Sequence, residues 1–114
     1  MILANIIHDK QSDRITSFSL SGHADSGEYG KDIVCAAVSV LSISTVNGLT
    51  EVANLEPKVV SDDIEGGFME VTVPEANSSE DEIAAQAILS TFQNGMRDIS
   101  QSYADYIKLD ITID

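Results

Sequence analysis

The chain has little positive charge. Six Lys and Arg stand against nineteen Asp and Glu, giving a net charge of −13 at pH 7. The isoelectric point is near 4.1. Phosphate backbones are bound by clustered cations, so this balance argues against nucleic-acid binding. An anionic membrane surface is disfavoured on the same ground. A basic partner is allowed, because opposite charge speeds encounter. Solubility alone would explain the charge equally well.

Cysteine is almost absent. Cys35 is the only one, which excludes an internal disulfide, a disulfide-stapled fold and a zinc ribbon. It also leaves thiol redox chemistry without a resolving partner in the chain. Two prolines and seven glycines are too few for a collagen-like or low-complexity chain. No run reaches the roughly 18 apolar residues expected of a membrane helix. Met1 to Asp9 has no basic residue, and Asn5, His8 and Asp9 interrupt its apolar run, so it does not read as a signal peptide. The cytoplasm is the expected location.

What remains is ordinary globular composition, 43% hydrophobic and 22% charged over 114 residues. That suits a single domain spanning 1–114 with one real core. Met1 to His8 and Ile15 to Leu20 read as strands joined by a polar turn, a hairpin. Gly22 to Lys31, with Gly22, Gly27 and Gly30, shows neither period and reads as a mobile loop. Apolar residues then recur at threes and fours from Ile33 to about Ala53, which predicts a helix with Asp32 as its N-cap. Its other side is Ser, Thr and Asn rather than charge, so it should be covered on more than one side, by the sheet and by a second subunit.

Lys58 to Ser61 and Gly67 to Val73 predict two further strands. Ser79 and Glu82 make a capping-box pattern before the helical stripe Ala85, Ile88, Leu89, Phe92, Met96, Ile99 and Tyr103. Glu80, Asp81 and Glu82 complement the dipole of that helix. Ile107, Leu109, Ile111 and Ile113 alternate with Lys108, Asp110, Thr112 and Asp114, the clearest strand of all. The order ββαββαβ predicts an α+β fold, one five-stranded sheet with both helices packed on one face.

Cys35 is the first candidate for chemistry. As third residue of a helix capped by Asp32, its sulfur would sit near the positive helix end, which favours the thiolate. The same unpaired amides could hold an oxyanion. A capping Asp32 would occupy one amide and oppose the thiolate; turned toward a histidine instead, it would not. His23 stands twelve residues earlier, at the end of the second strand, where a strand end and a helix start can meet. A His–Cys pair there would give a nucleophile with its own acid and base. The competing reading is a cysteine packed like alanine beside an exposed loop histidine, and residue types alone favour it. Ser39, one turn after Cys35, would either hydrogen-bond near the sulfur or back-bond to the helix, the second being commoner. Asp25 and Glu28 could orient His23. His8 reads as a sheet-face residue. A metal site from His8, His23, Cys35 and Asp25 matches no zinc spacing. Gly22 to Asp32 has neither phosphate-loop pattern.

Gly22 to Ser39 reads GHADSGEYGKDIVCAAVS. It closely resembles the signature of Prp, the bacterial ribosomal-processing cysteine protease family: Gly-His-Ala, a glycine-rich loop, Asp-Ile-Val-Cys-Ala, and a Ser four residues after the Cys. Gly22, His23, Ala24, Asp32, Ile33, Val34, Cys35, Ala36 and Ser39 all hold their places, in a motif of 18 of the 114 residues. The resemblance implies a homodimeric cytoplasmic endopeptidase without a cofactor. It implies removal of a short N-terminal extension, ending in aromatic residues, from a large-subunit ribosomal protein. It implies Cys35 as nucleophile and His23 as general acid and base, with Asp32 and Ser39 in support and Gly22 giving the loop freedom to open over substrate. The expected partner is the N-terminal segment of a basic large-subunit ribosomal protein, which an acidic enzyme would attract; neither nucleic acid nor membrane is expected. The rival reading is a non-catalytic acidic adaptor that binds a basic ribosomal protein during assembly.

Overall fold

Residues of period two build the sheet and residues of period 3.6 build the layer above it. The structure, a computed structural model, describes residues 1–22, 29–62 and 67–114, the side chains of 29–32 excepted. The elements are β1 (Ile2–His8), β2 (Ile15–Ser21), α1 (Tyr29–Glu51), β3 (Lys58–Asp62), β4 (Phe68–Thr72), α2 (Ser79–Ser102) and β5 (Ile107–Ile113). The predicted order ββαββαβ and the single five-stranded sheet are what the chain forms. Most of the predicted loop after Gly22, with His23, Asp25 and Glu28 in it, lies outside the described residues.

The strands lie in the order β3-β4-β2-β1-β5. Three neighbouring pairs are antiparallel, while β1 and β5 run parallel with Ile2 beside Ile107 and Ile6 beside Ile111. Following those directions, β2 and β3 point the same way, and so do β4 and β5. Parallel strands need a crossover, and each helix supplies one. One face of the sheet is buried. Ile2, Ala4, Ile6, Phe18, Leu20, Val71, Val73 and Ile107 point into the core, under Ala85, Leu89, Phe92 and Met96 of α2. The rings of Phe18 and Phe92 meet there at 4.3 Å between centroids.

Helix α2 begins one residue earlier than the capping-box pattern predicts. Ser78 is the N-cap, and its hydroxyl accepts the backbone N–H of Asp81 at 3.1 Å. Glu82 is thereby released to pair with Arg14, whose guanidinium donates to both carboxylate oxygens at 3.1 and 3.2 Å and to the carbonyl of Pro74. The acidic first turn is structural, as expected.

Helix α1 departs from expectation at its start. It begins at Tyr29, so Asp32 is its fourth residue and cannot be its N-cap. Gly30 made this turn read as loop, yet a glycine costs a helix only about 1 kcal/mol, which tertiary context overrides. The expectation that no segment has membrane-helix character is also corrected. Ile33–Glu51 is long and apolar enough to cross a membrane by length and composition. Interspersed Ser, Thr and Asn hide this from a count of consecutive apolar residues. In this fold its stripe Val34, Val38, Ser42, Thr45 and Leu49 is buried against the rest of the protein.

Candidate active site

The first half of α1 and the β3–β4 half of the sheet leave a cleft of about 580 Å³ between them. Helical spacing aims five α1 side chains into it: Cys35, Val38, Ser39, Ser42 and Ile43. From the sheet come Ile2, Leu20, Val59, Ser61 and Met69, with Gly22, Gly67 and Phe68 at the strand ends. The surface is mostly apolar and carries one thiol and three hydroxyls. Such a cleft suits an extended peptide with apolar side chains better than a small ionic ligand.

Cys35 is half-buried and packs against the core. It is the seventh residue of α1, not the third. It therefore lies beyond the four amides a helix start leaves unpaired, and the dipole effect fades within one turn. The help expected from the helix terminus does not reach this sulfur. Ser39 sits one turn further on, exposed in the cleft. Among the described residues it makes no back-bond. Ser42 makes that bond instead, its buried hydroxyl donating to the carbonyl of Val38 at 2.7 Å. Asp32 stands three residues before Cys35 in α1.

Gly22 forms part of the cleft wall and is fixed there. Its φ is +79°, and its N–H donates to the carbonyl of Gly67 at 3.0 Å. A Cβ at this position would overlap the carbonyl oxygen of Met1. The loop that the resemblance expects Gly22 to free for opening over substrate follows it and lies outside the described residues. His8 is not part of the cleft: its ring bonds to Asp13 and Gln93. No group of three His, Cys, Asp or Glu is placed for a metal among the described residues.

The pattern of the sequence did not point to the sheet wall. Val59, Ser61, Phe68 and Met69 read only as strand residues, and their place opposite Cys35 depends on the crossover through α1. In the structure these residues are marked by exposure of apolar side chains on two short strands: Val59 of β3 is 41% and Phe68 of β4 39% exposed.

Residues 1–108 match a protein-family model described as cysteine protease Prp. The ribosomal processing cysteine protease Prp of Staphylococcus aureus is 34% identical over 96 residues, 84% of this chain and 86% of that protein. The protein of the same name from Bacillus subtilis is 31% identical over 107 residues, 93% of this chain and 91% of that one. A crystal structure of the essential ribosomal processing protease Prp from S. aureus, in complex with a substrate peptide, superposes with a TM-score of 0.83 at 31% identity, covering 98% of this chain and 100% of that chain.

Proposed function

The chain belongs to the cysteine protease Prp family, and from that premise we propose that it is a cytoplasmic endopeptidase that removes the N-terminal extension of a large-subunit ribosomal protein. The observation that carries this is the position of Cys35, the chain's only cysteine, in the wall of a peptide-sized cleft. The thiolate attacks the scissile carbonyl and a carbon–sulfur bond forms. The carbon–nitrogen bond breaks as His23 gives its proton to the leaving amine. His23 then takes a proton from water, whose oxygen attacks the thioester and releases the acid and the thiolate. His23 follows Gly22 of the cleft wall directly in the chain, which supports this role. Asp32, relieved of capping, orients His23. Ser39 supports the reacting thiol from the next turn.

A homodimer is part of the same proposal. From Ile33 to Thr50 α1 carries no charge, and Val40 and Ile43 are 66% and 55% exposed on it. A second copy seated there removes that apolar surface from water.

The test is cleavage of a peptide spanning the extension junction of the host's own ribosomal protein, read by mass spectrometry, with Cys35→Ala beside the wild type. A single cut by the wild type alone is the expected result. Binding of the peptide by both forms with no cut by either would replace the protease with the adaptor.

A further inference from the structure

We propose that the peptide substrate docks as an added strand on the outer edge of β3, held by the backbone N–H and C=O groups of Val59 and Ser61. This rests on the protease function above and names how that site takes its substrate. Strand β3 stands first in the sheet, with β4 as its one strand neighbour among the described residues. All five of its residues are exposed.

Two hydrogen bonds fix which way its backbone faces. The N–H of Val73 donates to the carbonyl of Thr16 at 2.8 Å, and the carbonyl of Gly67 accepts from Gly22 at 3.0 Å. Both lie on the β2 side of β4. In an antiparallel strand each residue directs N–H and C=O the same way, and successive residues alternate. Residues 67, 69, 71 and 73 thus face β2, and Phe68, Glu70 and Thr72 face β3. Their register partners are Asp62, Val60 and Lys58. Those three residues of β3 are used by the ladder. Val59 and Ser61 point their backbone groups outward.

The same two residues put their side chains into the cleft with Cys35. Among the described residues, free backbone donors and acceptors therefore border the wall opposite the nucleophile. Pro57 has the same outward parity, where its missing N–H costs nothing. The other sheet edge, β5, contributes no residue to the cleft. An extended peptide repeats its N–H and C=O on one side every second residue, about 6.6 Å apart, matching Val59 and Ser61. Its alternate side chains then enter the apolar cleft. Backbone bonds give affinity, the cleft selects side chains, and the scissile bond is held within reach of Cys35.

Amide hydrogen exchange of the Cys35→Ala protein, with and without the junction peptide, tests this. Without peptide, Val60 and Asp62 exchange slowly and Val59 and Ser61 quickly. Saturating peptide is expected to slow Val59 and Ser61 by about tenfold or more. A second arm compares Ser61→Pro with Ser61→Ala in the active enzyme. Proline removes one outward N–H and spares the bonds to β4, so its kcat/KM should fall about tenfold below that of Ser61→Ala. Alkylation of Cys35 by iodoacetamide, equal in both, shows that the site is intact. Unchanged exchange at Val59 and Ser61 under saturation, or equal kcat/KM in the two variants, overturns the inference while leaving the protease standing. Slow exchange at both residues without peptide, increasing with protein concentration, assigns the edge to a second copy and overturns it too. Failure of the wild type to cut and of Cys35→Ala to bind the peptide removes the protease function and the inference together.

Discussion

The backbone N–H of Gly22 donates to the carbonyl of Gly67 across 3.0 Å, tying the end of β2 to the start of β4 at the wall of the cleft. Both residues have positive φ, +79° and +65°. For any other residue the left-handed region costs about 1–2 kcal/mol. At Gly22 a Cβ would also press on the backbone carbonyl of Met1, which no rotamer change relieves. Gly22→Ala is expected to lower unfolding stability by about 2 kcal/mol or more, seen as a lower urea midpoint, and to lose activity with it.

Gly48 is the contrasting case. It lies inside α1, and a Cβ there would meet Ile88 at 3.5 Å, an ordinary contact. Nothing in the backbone requires glycine at this point. Gly48→Ala should gain up to about 1 kcal/mol through helix propensity. A melting temperature raised by a few degrees is the expected outcome; a fall would mean that the α1–α2 contact is tighter than 3.5 Å implies.

Local patterns made the elements legible. The alternation from Ile107 to Ile113 announced a strand, and the stripe from Ala85 to Met96 announced a helix face. Neither told that β5 would lie parallel beside β1, because pairing is decided by crossovers through the core. Short-range competition set the boundaries. Ser78 and Ser79 are both good caps, and the bond from Asp81 selects the first. Gly30 looked like a loop but sits in a helical turn. The Gly22 to Ser39 motif pointed to Cys35 by resemblance, whereas Val59 and Ser61 had no local mark. They join the site only because α1 carries the chain from β2 across to β3.

Cys35→Ala should lose cleavage by at least about 10³-fold, since no other nucleophilic thiol exists in the chain. The residue is half-buried and alanine suits a helix, so circular dichroism should stay unchanged. His23→Ala should lose nearly all turnover as well. Wild-type rates in either variant would remove that residue from the mechanism.

Asp32→Ala separates two roles, since Asn would cap a helix as well as Asp does. A lost N-cap typically costs about 1 kcal/mol of stability. Asp32 is the fourth residue of α1, so the variant should keep wild-type stability. As a positioning residue for His23 it should instead lower kcat by about 10- to 100-fold and move the pH profile of kcat. A drop in stability with unchanged kcat would return it to the cap.

His8 sets a pH dependence that is independent of the cleft. Its Nε2 lies 2.6 Å from the side-chain oxygen of Gln93 on α2, and its Nδ1 3.0 Å from the carbonyl and 3.1 Å from the carboxylate of Asp13. Burial pulls its pKa down. Hydrogen bonds to Gln93 and Asp13, with the Asp13 charge, outweigh that and raise it above the ordinary 6.5. Both ring nitrogens face acceptors, an arrangement that only the imidazolium can satisfy by donating twice. Because the folded value is the higher one, this stabilisation is fully present below about pH 6.5 and is lost as pH rises through the folded value. Urea midpoints of the wild type should therefore fall across that window. His8→Gln should flatten that part of the curve, and so should Gln93→Leu, though less, since Asp13 remains. A wild-type and a His8→Gln curve that run parallel from pH 5.5 to 8 would show that the imidazole titrates alike in the folded and unfolded protein, which overturns the raised value.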